Sequence, residues 1–230
     1  MNILAVDTAT STLHLALYTA EGLDELMIEH FQHSEGLLEE IVKLLESRKL
    51  EIKDLDLLVC TRGPGSFTSL RISMATLKGF SLACGIPLVS VPGLEAIARA
   101  FSIEGLVTVA CIDAKKKRYY LGLYRDGEQI TPDMDGNAEN LVPYLEGEKT
   151  AVLTGPDAKA FAPRLQALLP DLKLIVDTED IRPLGHVLIN MGTSQFEKAG
   201  PDDIGQGPVY IRRSDAEEAL IQRQMKGDEK

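Results

Sequence analysis

Tryptophan is absent from this chain of 230 residues, aromatics amount to 5%, and cysteine occurs three times, at Cys60, Cys84 and Cys111. An odd cysteine count without a CxxC pair provides neither a disulfide framework nor a zinc site, so three structural, unbridged thiols in a cytoplasmic protein are expected. Basic residues are also in the minority, with 24 Lys and Arg against 35 Asp and Glu and a net charge of −11. A protein that gripped nucleic acid through its overall field would carry the opposite sign, so any nucleic-acid role is local or delegated to a partner. Long hydrophobic runs are missing as well. The most apolar stretch, 77–91, contains Lys78 and Pro87 and is too short to span a bilayer. Met1-Asn2 brings no basic residue and Asp7 interrupts the first apolar run, so neither a membrane contact nor a secretory leader is expected. The four histidines (His14, His30, His33, His186) show no HxxxH or HExxH spacing, and Ser66 lies in no GxSxG elbow. No metal site and no nucleophile–base pair can be assembled from these residues.

What is present is an ordinary globular composition, 44% hydrophobic and 26% charged. Residues 2–7, 12–19 and 22–31 read as three strands joined by short connections, an antiparallel meander. A helix over 34–47, a buried strand over 56–60, a helix over 67–83, a strand over 87–91 and a short helix over 92–101 follow. The order βββαβαβα predicts a mixed sheet covered by helices. The pattern then restarts with paired strands at 106–112 and 118–125, a polar, loop-like stretch over 126–149, a strand at 151–154, a helix at 158–169, a strand at 173–176 and a helix over 182–198. Residues 199–208 read as a Gly- and Pro-rich linker, and a charged helix-like tail follows Ser214. Two lobes, 1–101 and 102–230, are predicted, with no internal sequence repeat.

Three stretches could carry chemistry. Asp7-Thr8-Ala9-Thr10-Ser11 ends the first strand. In sugar kinases and actin-type ATPases an Asp so placed orients a metal's hydration shell while turn amides and hydroxyls meet phosphate, which makes Asp7, Thr8 and Ser11 phosphate-loop candidates. The same residues at a strand end also simply make a hydrogen-bonded turn. A working clamp needs a second, glycine-rich loop, yet the equivalent turn Asp113-Ala114-Lys115-Lys116-Lys117 has no glycine. Its basic run, continued by Arg118, either touches phosphate or is solvated at a hairpin. The third stretch is Gly63-Pro64-Gly65-Ser66-Phe67-Thr68-Ser69-Leu70-Arg71, a tight turn with Ser66 placed to cap the following helix. It lacks the Lys of a nucleotide-binding P-loop. On that helix Phe67, Leu70, Met74 and Leu77 form one stripe, and Ile72, Ala75, Gly79 and Ala83 form an opposite one. Two apolar faces imply a second contact, with the first helix or with another chain.

Three strings together, ILAVDTAT (3–10), HSEGLL (33–38) and above all GPGSFTSLRI (63–72), closely resemble the bacterial TsaB (YeaZ) family, and VPGLEA (91–96), Ile112-Asp113-Ala114 and PVYIR (208–212) fit the same pattern. The resemblance is strong to about residue 120 and thin over 126–200. It implies an α/β, actin-like ATPase (ASKHA, RNase H-like) fold of two lobes, each a mixed sheet flanked by helices. It also implies a cytoplasmic, non-catalytic accessory subunit that acts through a complex with TsaD and TsaE. There, TsaD transfers a threonylcarbamoyl group to N6 of adenosine 37 in tRNAs reading codons that begin with A. TsaD's HxxxH metal site has no counterpart here, so no catalytic residue, metal or cofactor is implied, with weak nucleotide binding at the partner interface left open. In the family the first two helices bind TsaD and mediate a homodimer, and tRNA is met only through the complex. That surface is assigned here to Leu37, Ile41, Leu44, Phe67, Leu70, Arg71, Met74 and Leu77. Family members generally carry Gly where this sequence has Ser69 and Ser73, so the interface is expected to differ in geometry or partner choice. The alternative function is an ATP-dependent kinase or acyltransferase of the actin-like superfamily. A peptidase is disfavoured by the lack of metal ligands.

Overall fold

The computed structural model describes residues 1–179 and 181–212, except for the side chains of 33–35. The tail expected to be helical after Ser214 lies outside the described residues. The first sheet has the order β3-β2-β1-β4-β5. Strands β1 (Ile3–Asp7), β2 (Leu13–Thr19) and β3 (Gly22–Ile28) form the antiparallel meander, and β1 runs parallel to β4 (Leu57–Thr61), which runs parallel to β5 (Leu88–Val91). Helices α1 (His33–Ser47), α2 (Phe67–Cys84) and α3 (Gly93–Ala100) connect and follow these strands. All of β1 and β4 is buried, as expected for central strands covered on both faces.

The second sheet has the order β10-β9-β6-β7-β8. It comprises β6 (Val107–Asp113), β7 (Tyr119–Arg125), β8 (Glu128–Gly136), β9 (Thr150–Thr154) and β10 (Lys173–Val176), with α4 (Val142–Leu145), α5 (Ala158–Leu168) and α6 (Gly185–Ala199). Taken from β8, this is the arrangement of the first sheet repeated strand for strand, a structural repeat that no sequence similarity betrays. The stretch 126–149, expected to be a loop, in fact holds β8 and α4. Its first half hid because β8 is an edge strand with a single buried residue, interrupted by Pro132, where the pairing with β7 is irregular.

Three cores stack in sequence. Helices α1 and α2 cover the outer face of the first sheet, and α5 covers that of the second. Between the sheets, α3 and α6 share a single core with Ile3, Val59, Val89, Ile112 and Tyr120. The division at residue 101 separates the two sheets, but the helices cross it. Helix α3 packs on β6 and β7, and α6 returns to β1, β2, β4 and β5. Cys60 and Cys111 are buried, Cys84 is exposed at the end of α2, and none is paired. Burial pushes the Cys60 thiol up to about 12 and raises that of Cys111 too, so both are inert.

The turn after β4 is where segments converge. Gly93 N donates to Gly63 O (2.9 Å), Ser66 N to Ala9 O (2.8 Å) and Val209 N to Arg62 O (2.7 Å). A Cβ on Gly65 would stand 2.3 Å from Ala9 O, closer than any side chain tolerates. Ser66 caps α2 as expected, accepting from Ser69 N.

The inward stripes of α1 and α2 are core. Leu37, Ile41, Met74 and Leu77 are buried against the first sheet, and Leu70 is fully buried beside Gly63 at the turn after β4. Leu70→Ala should therefore cost about 2–5 kcal/mol, read as a lower urea midpoint at unchanged slope. Met74→Glu should abolish cooperative unfolding. A Leu70→Ala protein as stable as the wild type would place that side chain outside the core.

Candidate functional site

The β1–β2 turn turns its polar groups inward. Asp7 is buried, and its carboxylate accepts from the Thr61 hydroxyl and from Ala9 N (3.0 Å). Thr8 has 0% exposure, and its hydroxyl lies 3.0 Å from Ser69 O and 2.8 Å from Ser73 Oγ. Of the phosphate-loop candidates, only Ser11 is exposed and faces the cleft between the lobes. Ser69 and Ser73 are both buried: the Ser73 hydroxyl meets that of Thr8, and the Ser69 hydroxyl bonds Ser66 Oγ (2.9 Å).

Two cavities lie along the lobe junction. The smaller, about 40 Å³, is lined by Asp7, His14, Thr154, Asp177 and Arg182, a water-sized space with no room for a nucleotide. Asp177 is 2% exposed and accepts from Arg182 Nε (2.9 Å), Arg182 Nη2 (2.8 Å) and Thr154 Oγ1 (2.9 Å). Burial pushes this carboxyl up, but Arg182 and the hydrogen bonds outweigh it and hold the acid below its usual range. His14, opposite Asp7 in the β1–β2 ladder, is buried with Nδ1 unpartnered. Burial lowers its pKa, with the Asp7 and Glu25 carboxylates pulling the other way.

The larger cavity, about 830 Å³, opens between Ser11, Ser66 and Phe67 on one side and Asp113, Lys115 and Lys116 on the other. Where a phosphate loop would carry glycine, the β6–β7 turn carries Lys115, Lys116 and Lys117 with φ of 64°, 54° and 63°. Asp113 accepts from Lys115 N (2.8 Å) and pairs with its ammonium (3.3 Å). Gly155, the isolated glycine after β9, is a packing position whose Cβ would meet Cys111 O at 2.3 Å. Among the described residues no group of His, Cys, Asp or Glu side chains is arranged to hold a metal.

A second surface is formed by α1 and α2, which pack side by side. The stripe expected at the surface is turned inward. Met74 and Leu77 point into the core, as do Leu37 and Ile41 of α1, Leu44 is half-buried against it, and Leu70 is buried beside Gly63. The outer stripe is Thr68, Ala75, Gly79, Leu82 and Ala83, all exposed, with Leu82 at 72%; on α1, Leu38 is exposed at 53%. A side chain added at Gly79 would meet nothing. Phe67 and Arg71 do lie on the outside, but they engage a strap formed by residues 202–212. The Phe67 ring stacks on Tyr210 at 4.5 Å and Arg71 Nε donates to the Tyr210 hydroxyl (2.7 Å). Lys78 donates to the carbonyls of Ile204 and Gln206. Leu38 and Leu82 were missed because periodicity identifies stripes without saying which one the sheet takes.

The sequence model of the family described as "TsaD: tRNA N6-adenosine threonylcarbamoyltransferase" matches residues 28–168. The chain is 28% identical to the tRNA threonylcarbamoyladenosine biosynthesis protein TsaB of Bacillus subtilis (strain 168), over 97% of this chain and 100% of that one. It is 30% identical to TsaB of Escherichia coli (strain K12), over 67% of this chain and 68% of that one. Among solved structures, YeaZ from Pseudomonas aeruginosa shares the fold with a TM-score of 0.75 at 24% identity, over 91% of this chain and 99% of that one.

The buried imidazole predicts a pH dependence. The folded chain holds His14 below the ordinary value of 6.5 that it regains on unfolding. The unfolded state therefore binds the proton first, and stability is lost as pH falls from about 7 towards about 5. Asp177 adds acid sensitivity only at lower pH. Urea titrations at both pH values should show a smaller loss for His14→Gln than for the wild type. Equal losses would acquit His14.

Proposed function

The chain belongs to the threonylcarbamoyltransferase (TsaD) family and, within it, to the TsaB (YeaZ) proteins of tRNA threonylcarbamoyladenosine biosynthesis, and from that premise we propose that it is a non-catalytic scaffold of this modification. In this reading it works in the cytoplasm by holding TsaD, with TsaE joining the assembly, and takes no nucleotide of its own. The observation that carries the proposal is the outer face of α1 and α2. Leu38, Ala75, Gly79 and Leu82 make an exposed, largely apolar surface on a rigid helix pair, and Gly79 leaves room for another backbone to come close. In a chain without partner, two copies of this face meet as a self-complementary four-helix contact, the homodimer. A TsaD lobe of the same architecture replaces one copy.

The non-catalytic role is supported by where the polar groups went. Asp7 and Thr8 are engaged within the fold, and the second turn carries lysines where a phosphate loop needs glycines. These features also weigh against the kinase or acyltransferase alternative. Among the described residues no helix is long and apolar enough to cross a membrane.

The test uses exposed positions, so that folding and docking separate. Leu82→Glu and Ala75→Glu should unfold like the wild type yet lose at least about tenfold in TsaD affinity, about 1.4 kcal/mol. Full-strength capture of TsaD by both variants would remove the helix face from the interface. The purified chain should hydrolyse no ATP, and turnover abolished by Asp7→Ala would restore the enzyme alternative.

A further inference from the structure

We propose that the small cavity at the lobe junction is a binding site for ordered water, which bridges His14 Nδ1 of the first lobe to Thr154 of the second. The proposal does not depend on the function inferred above.

Three observations carry it. The first is an unmet hydrogen bond. His14 is 5% exposed, lines this cavity, and its Nδ1 has no partner among the described residues. Buried polar atoms are seldom left so, because they lose solvent and gain nothing in return. His14 and Asp7 stand opposite each other in the β1–β2 ladder. By strand alternation both lie on the face that Ala5 and Ala16 turn to the core between the sheets. The second observation is room. The cavity measures about 40 Å³, and a single water needs roughly 10–15 Å³ of such space.

The third observation is the chemistry of the walls. Thr154 Oγ1 spends its proton on Asp177 Oδ2 (2.9 Å), so in any further bond it accepts. The bonds that Asp7 accepts from Thr61 Oγ1 and Ala9 N both fall on Oδ1, and Oδ2 remains an acceptor. Neutral imidazole presents Nδ1 as donor or acceptor according to its tautomer, and water answers either. A water that meets Nδ1 and donates to Thr154 and Asp7 has three partners, the usual number for a buried one.

Other occupants fit less well. Asp177 already accepts from Arg182 Nε and Nη2, from Thr154 Oγ1 and from Glu179 N (3.1 Å), so it has little left for a cation. Among the described residues no set of His, Cys, Asp or Glu is arranged to hold a metal. An anion would face the carboxylates of Asp7 and Asp177. Asp7 and His14 belong to β1 and β2, whereas Thr154 ends β9. The water therefore pins the two sheets together by hydrogen bonds, beside the apolar packing of Ile97 and Leu184 that lines the same cavity.

The test joins a high-resolution crystal structure of the full chain to magnetic relaxation dispersion of water oxygen, which counts water molecules held longer than the protein tumbles. Density should show a water within hydrogen-bond distance of Nδ1. His14→Leu and Thr154→Val, checked for folding by thermal unfolding, should each lower the dispersion amplitude by about one water molecule. If one variant fails to fold the other is read, and if neither folds the wild-type density decides. An imidazole turned so that Nδ1 bonds a side chain directly overturns the proposal. So does a cavity without ordered density, an ion in place of the water, or an amplitude that the folded variants leave unchanged.

Discussion

The structure hinges on how closely backbones approach one another around Gly63, Gly65 and Gly93. A Cβ at Gly63 would come within 2.9 Å of Val209 O, one at Gly65 within 2.3 Å of Ala9 O and one at Gly93 within 3.3 Å of Gly63 O. Four segments cross at this point: the β1–β2 turn, the start of α2, the start of α3 and the strap. Their relative placement sets the direction in which α2 leaves the sheet, and with it the face the helix turns outward. It also sets where α3 enters the layer between the sheets. A glycine string that looks like an anion loop here serves as a joint.

The same joint explains the fate of the first turn. Once Ser66 N and Gly65 are pressed on Ala9, α2 lies against Thr8, whose hydroxyl meets the Ser69 carbonyl and the Ser73 hydroxyl. Asp7 is drawn into the same layer by Thr61 and Ala9 N. Buried polar groups need partners, and each of these has one. The Ser73 hydroxyl and the Ser69 carbonyl supply part of this satisfaction from the helix side.

Much of the architecture was legible because it rests on local pattern. The meander, α1, α2, β9, α5 and β10 follow from period, caps and turns, and the family strings pointed to two lobes. Three things were not legible. Edge strand β8 carries no apolar alternation, since one flank has no neighbour and only Gly136 at its end is buried. The orientation of α2 could not be read, because Leu70, Met74 and Leu77 and the opposite Ile72, Ala75 and Gly79 are both apolar enough to face a sheet. The meeting of Tyr210 with Phe67 and Arg71 joins residues 139 or more positions apart, a distance over which periodicity says nothing. For the candidate site, which hydroxyls of the motif point inward depends on tertiary packing that the sequence pattern does not show.

Helix α6 has a consequence for how the chain is made. Gly192 of that helix sits so close to β4 that an added Cβ would stand 2.4 Å from the Val59 side chain, and Leu184, Val187 and Leu188 belong to the core that β1 and β4 line. The first sheet therefore has one bare apolar face until residue 199 has left the ribosome. Its strands must wait through the synthesis of the whole second sheet, at about 5–20 residues per second. The N-terminal lobe is the first to be made and the last to be finished, because its closing contacts are among the most distant in sequence.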